Sequence, residues 1–363
     1  MQRGLSVSIF SKAKLALAKL RYYKMRVGHA SRWAENQRNR FYLDCWNRAA
    51  QALNAKVETA SDSVLVITKD GTRATVYRNY TDLDGPATLR AVGDKEFVQS
   101  ALKRHDIPIA LSLSFAFEEL ASAKRFLEQH QPCVVKPLSG TGGGAGVTTG
   151  ICSLQQLDRA IRLAAGFSRH LLIEKQVSGR NIRLLFLDGV LLDAVERRPP
   201  SVTGDGKASL SKLIKEENLA RMERGFVRAQ ELLQRDCDMN TTIKRQGLNW
   251  NSVPAADVTI PVKTVINQNA TSENVSVVDE LCEEIVDTAR KAAQCLNVRL
   301  AGVDVITENV TVDMLASGGV VLEVNTTPGF YCHQHTDDPS VVVPILKACI
   351  AQAQRVANQS TQN

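Results

Sequence analysis

The sequence predicts a mixed fold of helices and strands, in which residues 1–90 form a small α/β domain. Three observations support this prediction. Short β-prone apolar runs stop at turn residues, as in Val320–Leu322 before Pro328-Gly329. Stretches with helical spacing separate such runs along the chain. A chain break at Asp84-Gly85-Pro86 marks the boundary between the two parts.

The composition is that of a soluble globular protein, with 44% hydrophobic and 23% charged residues. A chain of 363 residues is expected to divide into two or three domains. No run approaches about 20 apolar residues, so no membrane span is predicted. The N-terminus also lacks the pattern of a secretory signal. Eight cysteines without a Cys-x-x-Cys pair favour reduced thiols and a cytoplasmic protein.

Positive charge is concentrated at the N-terminus. Residues 1–48 hold eleven Lys/Arg and two acids (+9), so the rest carries about −2 of the total of +7. Ser11–Lys24 predicts a basic helix, which suits an anionic membrane or RNA. A solvated helix is the favoured interpretation, because Gly/Arg/aromatic recognition patterns are missing.

The rest of the first 90 residues predicts a helix and a hairpin. Arg40–Leu53 has apolar residues at helical spacing. Lys69–Thr72 has the sequence of a hairpin turn between two strands, Val64–Ile67 and Ala74–Tyr77. No chemistry is evident in this part of the chain.

Hard oxygen ligands occur on two predicted strands near the C-terminus. Glu323 and Asn325 alternate along one strand and therefore share a face. Leu300–Ile306 predicts a second strand with Asp304 inside an apolar run, and a hairpin between the strands would bring Asp304 to the other two. A buried carboxylate is costly unless it is paired or bound to metal, so the three together suggest a Mg²⁺ site. The alternative, which Glu323-Val324-Asn325 alone would favour, is a single acid at a strand end followed by an asparagine in a turn. The nearby Cys332-His333-Gln334-His335 is interpreted as a polar loop, since no second ligand cluster completes a metal site.

A glycine-rich run follows a predicted strand that ends in a lysine. Cys133–Pro137 is the strand, with Lys136 near its end, and five glycines follow within Gly140–Gly146. Glycine permits positive φ, so backbone N–H groups could approach phosphate oxygens under a mobile flap. A glycine-rich run alone could equally be a flexible hairpin, but the preceding Val134-Val135-Lys136-Pro137 favours the flap. Lys95 at a predicted helix start would favour a further anion contact, although a surface lysine is common there.

Leu171–Val177 predicts a strand that leaves its sheet at Glu174–Val177. Backbone groups exposed at that point could bind the edge of an adenine base. An ordinary hairpin is the alternative.

Together, these segments resemble the ATP-grasp ligases in order and spacing. The segments are Asp94-Lys95, Val134–Pro137 with its glycine loop, Ile173–Gly179, Gly302–Ile306 and Leu322–Gly329. Glu196–Lys207 and Lys244–Pro254 further resemble the ATP-grasp domains of cyanophycin synthetase and of bifunctional glutamate–cysteine ligase/glutathione synthetase. The resemblance covers about residues 91–350.

The resemblance implies an ATP-grasp fold, in which two α+β subdomains, about 91–170 with the glycine flap and 171–355 with the metal site, grip ATP. The implied nucleotide-binding residues are Lys95, Lys136, Ser139, Gly142, Gly143, Gly144 and Gly146 at the phosphates, Glu174, Lys175, Gln176 and Val177 at the adenine, and Asn181 at the ribose. Asp304, Glu323 and Asn325 match the ligands of Mg²⁺, with Mn²⁺ as an alternative. Arg183 and Arg197 match catalytic basic positions near the transferred phosphoryl group.

The activity implied by the resemblance is ATP-dependent joining of a carboxylate to an amine through an acyl phosphate, giving ADP and phosphate. Two positions depart from the pattern. Asn181 stands where such ligases often carry an acid, and Tyr331 stands where cyanophycin synthetases tend to carry arginine, which indicates a different substrate.

Three functional hypotheses follow, with the ligase of amino acids or small peptides favoured. The alternatives are a kinase-like phosphotransferase with a hydroxyl acceptor, and a nucleotide-gated binding protein whose basic helix contacts RNA or membrane. No clear nucleic-acid site is evident in the sequence. Related ligases often associate through this core, which leaves a homo-oligomer open.

Overall fold

The computed structural model describes residues 29–139, 144–224, 232–266, 273–333 and 339–360. The predicted basic helix, Ser11–Lys24, lies outside these ranges. No helix within them is both long and apolar enough to cross a bilayer.

The N-terminal segment consists of one helix and three antiparallel strands. Its elements are α1 (His29–Ala52), β1 (Lys56–Ser61), β2 (Val64–Lys69) and β3 (Thr72–Tyr77). The predicted hairpin is confirmed, because Lys69 pairs with Thr72. Asp70 and Gly71 between them have φ angles of 48° and 78°, as a tight hairpin turn requires. β1 was not predicted, since five of its six residues are exposed and its sequence lacks alternation.

A four-stranded antiparallel sheet in the order β4-β7-β5-β6 follows two helices. The elements are α2 (Pro86–Val92), α3 (Lys95–Arg104), β4 (Ser112–Ala116), α4 (Leu120–His130), β5 (Cys133–Pro137), β6 (Thr148–Ile151), α5 (Leu154–Ala164) and β7 (His170–Lys175). Phe126 of α4 and Leu157 of α5 share one core with Ile173 of β7. As the sequence predicts, a helix starts at Lys95, and the Asp94 carboxylate caps it by accepting from the N–H groups of Glu96 and Phe97.

A five-stranded antiparallel sheet in the order β12-β9-β8-β13-β14 forms the larger half. The remaining elements are β8 (Arg180–Leu187), β9 (Val190–Arg197), β10 (Ser201–Thr203), α6 (Leu210–Arg224), α7 (Cys237–Arg245), β11 (Thr259–Pro261), β12 (Asn274–Ser276), α8 (Glu283–Cys295), β13 (Leu300–Thr307), β14 (Val320–Thr326) and α9 (Val342–Ser360).

Alternation along these strands puts one apolar core on one face of the sheet and, on the other, charged side chains beside a second apolar core. Ile182 and Leu184 of β8 and Val303 of β13 lie in the apolar core beneath α3 and α8. Their sequence neighbours Arg183 and Asp304 therefore lie on the opposite, charged face. The alternation that predicted the metal site therefore also places Arg183 on the same face as Asp304.

Residues 198–273 form an insertion between two neighbouring strands. Arg197 at the end of β9 pairs with Asn274 at the start of β12, and the Arg198 N–H donates to the Glu273 carbonyl at 2.8 Å. The insertion has its own small core, which includes Leu210, Met239 and Val262.

The N-terminal segment shares its core with the C-terminal helix. Trp46 and Leu65 pack in one cluster with Phe330 and with Ile345 of α9. The predicted division at residue 90 stays a prediction. The structure shows that the buried surface of the N-terminal segment is completed by residues near the other end of the chain.

Candidate active site

The predicted hairpin between the two ligand-bearing strands is confirmed. β13 and β14 pair antiparallel, with Asp304 opposite Glu323 and Gly302 opposite Asn325. The Asn325 side-chain amide donates to the Asp304 carboxylate at 3.3 Å and to the Gly302 carbonyl at 3.2 Å. The sheet therefore brings the three predicted metal ligands onto one face.

Asp304 is held by two arginines from neighbouring strands. The Nε and Nη2 atoms of Arg183 donate to its two oxygens at 2.7 and 2.6 Å, and Arg197 Nη2 lies 3.0 Å from Oδ1. Burial alone would raise the pKa of Asp304, but Arg183 and Arg197 outweigh it and lower that pKa. Arg183 lies on the adjacent strand, directly opposite Asp304. This double pairing was not predicted, because only the strand order brings positions 121 residues apart together.

The donor set suits a hard divalent cation. In the described ranges no three His, Cys, Asp or Glu side chains cluster as ligands, so any metal here would depend on two carboxylates and one carboxamide. Asn325 directs its NH₂ group toward Asp304, which leaves its carbonyl oxygen facing another direction. Carboxylate and amide oxygens are ligands that Mg²⁺ accepts when nucleotide phosphates and water complete its shell.

A narrow cleft between the two sheets is lined by charged residues from both. Lys95, Lys136, Glu174 and Glu323 all border it, together with Gln99. Lys95 Nζ lies 4.0 Å from the Glu323 carboxylate, and Lys136 Nζ lies 2.7 Å from the buried Glu174 carboxylate. Lys95, Lys136, Glu174 and Glu323, which the sequence analysis assigned to one site, thus line the same cleft.

Gln99 is a cleft residue that the sequence analysis missed. Its side-chain amide donates to Glu174 at 3.1 Å, and its carbonyl oxygen accepts from the Ser112 hydroxyl at 2.9 Å. A single glutamine on a helix has no recognisable pattern. It lies one helical turn after Lys95, and that spacing was the only available signal.

Lys95 has an environment that favours a bound anion. Burial lowers its pKa from the usual value, and the nearby Lys136 acts in the same direction, whereas Glu323 opposes the shift. Two lysine charges held close together in a partly buried cleft repel each other. A polyanion between them would relieve this repulsion.

The described part of the glycine loop, which begins at Gly144, has the positive φ angles that the sequence predicts. Gly144 and Gly146 have φ angles of 73° and 77°. A side chain at Gly146 would lie 2.8 Å from both Phe167 and Pro137, so only glycine fits there. Ser139 is exposed at the start of the loop, while Gly142 and Gly143 lie outside the described residues.

The segment predicted to hold adenine has fewer unpaired backbone groups than expected. The N–H groups of Lys175 and Gln176 donate to the carbonyls of Leu111 and Pro132, at 2.8 and 2.9 Å. The Gln176 side chain accepts from the Gly150 N–H at 2.5 Å, so it ties the segment to β6. Among the described residues, no acceptor lies opposite the N–H of Val177.

Asn181 lies on the charged face, next to the predicted catalytic arginines. Its side-chain oxygen accepts from Nε and Nη2 of Arg197, at 3.1 and 2.7 Å. Asn181 therefore orients Arg197 in this structure. The bond would have to open or be shared if Asn181 also bound a ribose.

The interpretation of Cys332 and His333 as a polar loop is wrong, because both side chains are buried. His333 Nδ1 lies 2.7 Å from Asp193 Oδ2. Burial lowers the pKa of His333, but Cys332 and Asp193 outweigh it and raise that pKa to about 9. Burial raises the pKa of Cys332, but His333, Arg183 and Arg197 together lower it. Gln334 and His335 lie outside the described residues.

Curated relatives cover the larger part of the chain. The cyanophycin synthetase of Trichormus variabilis is 28% identical over 256 residues, 70% of this chain and 28% of that protein. The glutathione biosynthesis bifunctional protein GshAB of Listeria monocytogenes is 25% identical over 256 residues, 70% of this chain and 33% of that protein. The chain thus spans about a third or less of the length of these relatives. No family model matches it.

A solved structure supports the fold. The bifunctional glutathione synthetase from Pasteurella multocida superposes with a TM-score of 0.54 at 19% identity, covering 84% of this chain and 44% of that one. The predicted α+β architecture is confirmed by this likeness and by the two sheets around the cleft. This chain therefore has the ATP-grasp fold and is a relative of cyanophycin synthetase and of the bifunctional glutathione-synthesis proteins.

Proposed function

We propose that the chain is an ATP-dependent carboxylate–amine ligase, which forms an amide bond through an acyl phosphate. The observation that carries the proposal is the composition of one cleft. Glu323 of β14 lines it together with Lys95 of α3 and Lys136 of β5. Acidic oxygens that can hold a cation thus face lysines that can hold phosphates, and phosphoryl transfer depends on such positioned charges.

The proposed chemistry has two steps. A carboxylate oxygen of the first substrate attacks the γ-phosphorus of ATP, and ADP leaves. The amine nitrogen of the second substrate then attacks the acyl carbon, loses a proton, and inorganic phosphate leaves. The products are the amide, ADP and phosphate.

Asp304, Glu323 and Asn325 are proposed to hold Mg²⁺, or Mn²⁺ in its place. When bound, the ion would supply charge neutralisation at the phosphates. Lys95 and Lys136 would contact those phosphates, with Ser139 and the glycine loop closing over them. The partly buried position of Lys95 supports its part in this arrangement.

Arg183 and Arg197 are proposed to stabilise the negative charge on the transferred phosphoryl group. Asp304 fixes both guanidinium groups on the charged face, so neither needs to be ordered during the reaction.

The adenine is proposed to lie against Glu174–Val177, with the Val177 N–H as the backbone donor. Asn181 is proposed to reach the ribose. Lys175 and Gln176 would contribute mainly their backbone carbonyls, because their N–H groups are already paired.

The substrates are proposed to be amino acids or small peptides, because the relatives are named as synthetases of cyanophycin and glutathione. A reducing, cytoplasmic setting is proposed as well. It agrees with seven described cysteines that are all free thiols.

The test is an ADP-release screen of the purified protein with Mg²⁺-ATP and pairs of amino acids and dipeptides, with mass detection of products. Hydroxylamine in place of the amine should trap the acyl phosphate as a hydroxamate. ADP release with a phosphorylated hydroxyl product and no hydroxamate would instead identify a kinase. Unchanged turnover in Glu323→Gln would overturn the assignment of this cleft.

A further inference from the structure

Strand β14, which carries the proposed metal ligands Glu323 and Asn325, runs directly into a strained turn. Thr327, two residues after Asn325, has a φ of 47°. This left-handed conformation is unfavourable for a β-branched side chain. The next residue, Pro328, lies over Gly302 of β13 so closely that a Cβ on Gly302 would be 2.9 Å from it. The turn therefore packs directly against the strand that carries Asp304.

A side chain from the N-terminal segment holds this turn. The Asn79 side-chain amide donates to the Thr327 carbonyl at 2.5 Å, across 248 positions of sequence. Because that carbonyl belongs to the strained residue, the bond fixes the orientation of its peptide group. Strained conformations persist where the surrounding structure constrains them.

Asn79 is itself rigidly placed. The backbone groups of Tyr77 and Tyr80 bond to each other in both directions, at 3.0 and 2.8 Å, which closes the loop around Asn79. The Trp46 indole N–H donates to the carbonyl of Arg78 at 2.6 Å. The loop is thus anchored to α1.

The N-terminal segment also contacts the chain three residues beyond the turn. Phe330 is fully buried, and its ring packs edge-on against Tyr42 and Trp46, at centroid distances of 5.6 and 5.5 Å. The segment after Asn325 is therefore held at Thr327 by a hydrogen bond and at Phe330 by aromatic packing.

We infer that the N-terminal segment positions the active site, and that Asn79 is a positioning residue which fixes the strained turn following Asn325. This inference rests on the proposed function for its catalytic consequence. It assigns a role to a part of the chain that carries no chemistry of its own. The turn leads to Tyr331, which interacts electrostatically with Arg183 and Arg197.

Hydrogen exchange measured by mass spectrometry tests the positioning directly and needs no substrate. In Asn79→Ala the amides of residues 325–327 and 329–330 should exchange about five- to tenfold faster, the effect of losing one hydrogen bond. Asn47→Ala is the matched control, because Asn47 is an exposed asparagine of α1 whose amide bonds, among the described residues, only to the Leu43 carbonyl of its own helix. Equal exchange in the two variants would overturn the inference.

A second variant separates positioning from general destabilisation. Thr327→Gly removes the conformational strain, since glycine adopts positive φ freely. Asn79→Ala should therefore accelerate exchange less in the Thr327→Gly background than in the wild type. An equal acceleration in both backgrounds would show that Asn79 does not act through this turn.

Steady-state kinetics give the catalytic readout, with the substrates that the ADP-release screen identifies. In Asn79→Ala, kcat should fall about tenfold while the KM for ATP stays within about twofold, because the lysines of the cleft lie on other elements. A parallel rise in KM for ATP with unchanged kcat would contradict this role. If the wild type turns over no substrate, the proposed function fails, while the exchange experiments still decide whether Asn79 fixes the turn.

Discussion

Asp304 combines two tasks at the scale of the single residue. Its carboxylate is a proposed metal ligand, and it is also the counter-charge for two arginines. Its side chain is 4% exposed, and those of Arg183 and Arg197 are 9% and 14% exposed. Removing one member of such a buried group leaves charges uncompensated, which costs more than the group contributes when intact.

Asp304→Asn should lower the free energy of unfolding by about 3–5 kcal/mol at pH 7, measured by urea denaturation. Glu323→Gln is the matched control. Glu323 is 46% exposed and its nearest cation is 4.0 Å away, so a loss below about 1 kcal/mol is expected. Both variants should lose ATP turnover. Equal stability of the two variants would contradict the structural role of Asp304.

The pH dependence of this difference follows from the lowered pKa of Asp304. A depressed carboxyl pKa contributes stability that is complete above the unfolded value of about 3.9. This contribution is lost as pH falls through the folded pKa. The stability gap between wild type and Asp304→Asn should therefore narrow in acid.

His333 should show the opposite pH dependence. Its folded pKa of about 9 lies above the unfolded value of about 6.5, so its contribution is complete below the unfolded value and is lost as pH rises through about 9. The stability gap between wild type and His333→Gln should accordingly shrink from pH 6 to pH 10 in urea titrations. His170→Gln, at an exposed position, should show little gap at either pH. A gap that widens with pH would contradict a charged His333.

At the scale of the element, the β5–β7 ladder carries Lys136 and Glu174, which both line the cleft. Val134 pairs with Glu174, so Lys136 reaches Glu174 diagonally across two strands. Glu174 also accepts from Gln99 of α3. One buried carboxylate therefore connects a helix and two strands beside the predicted phosphate site.

Lys136→Met should destabilise the protein by about 3–5 kcal/mol, because it leaves the buried Glu174 carboxylate without its cation. Adding Glu174→Gln should restore most of that stability, since the second change removes the unpaired charge. Nucleotide affinity should stay low in the double variant, because the phosphate contact is still missing. Urea denaturation and calorimetric titration with Mg²⁺-ADP measure the two effects. Recovery of both together would argue against a phosphate contact by Lys136.

The individual elements show what local sequence could predict. The β13–β14 hairpin and the turn at Asp70-Gly71 were predictable because alternation and turn chemistry are local. The pairing of Asp304 with Arg183 and Arg197 was not, because it depends on the order of strands within the sheet. Asn79 carried no local signal either, since its partner Thr327 is 248 positions away.

At the scale of the whole molecule, the two ends of the described chain fold against each other. Trp46 is 1% exposed and shares a core with Phe330 and with residues of α9. The charged face, the turn after β14 and the N-terminal helix thus form one continuous packing arrangement. Substitutions that disturb the packing of the N-terminal segment should therefore also alter the proposed active site.

Trp46→Ala should lower the free energy of unfolding by about 3–5 kcal/mol, through lost packing and the cavity left behind. The loss should appear as an earlier midpoint of one cooperative urea transition, with circular dichroism and fluorescence coinciding. Val356→Ala on α9, where Val356 is 53% exposed, is the control and should change little. A separate early transition for the N-terminal segment would show that it unfolds independently.

The insertion at residues 198–273 has a consequence for how this scaffold can diversify. The insertion leaves the sheet after Arg197 and returns at Asn274, which pair with each other in the β9–β12 ladder, so its two ends lie side by side. An insertion of different length or origin could replace it while the pairing of β9 with β12 stays in register. The insertion also contacts β6, where Arg245 donates to the carbonyls of Thr149 and Gly150, so a replacement segment would have to supply that contact as well.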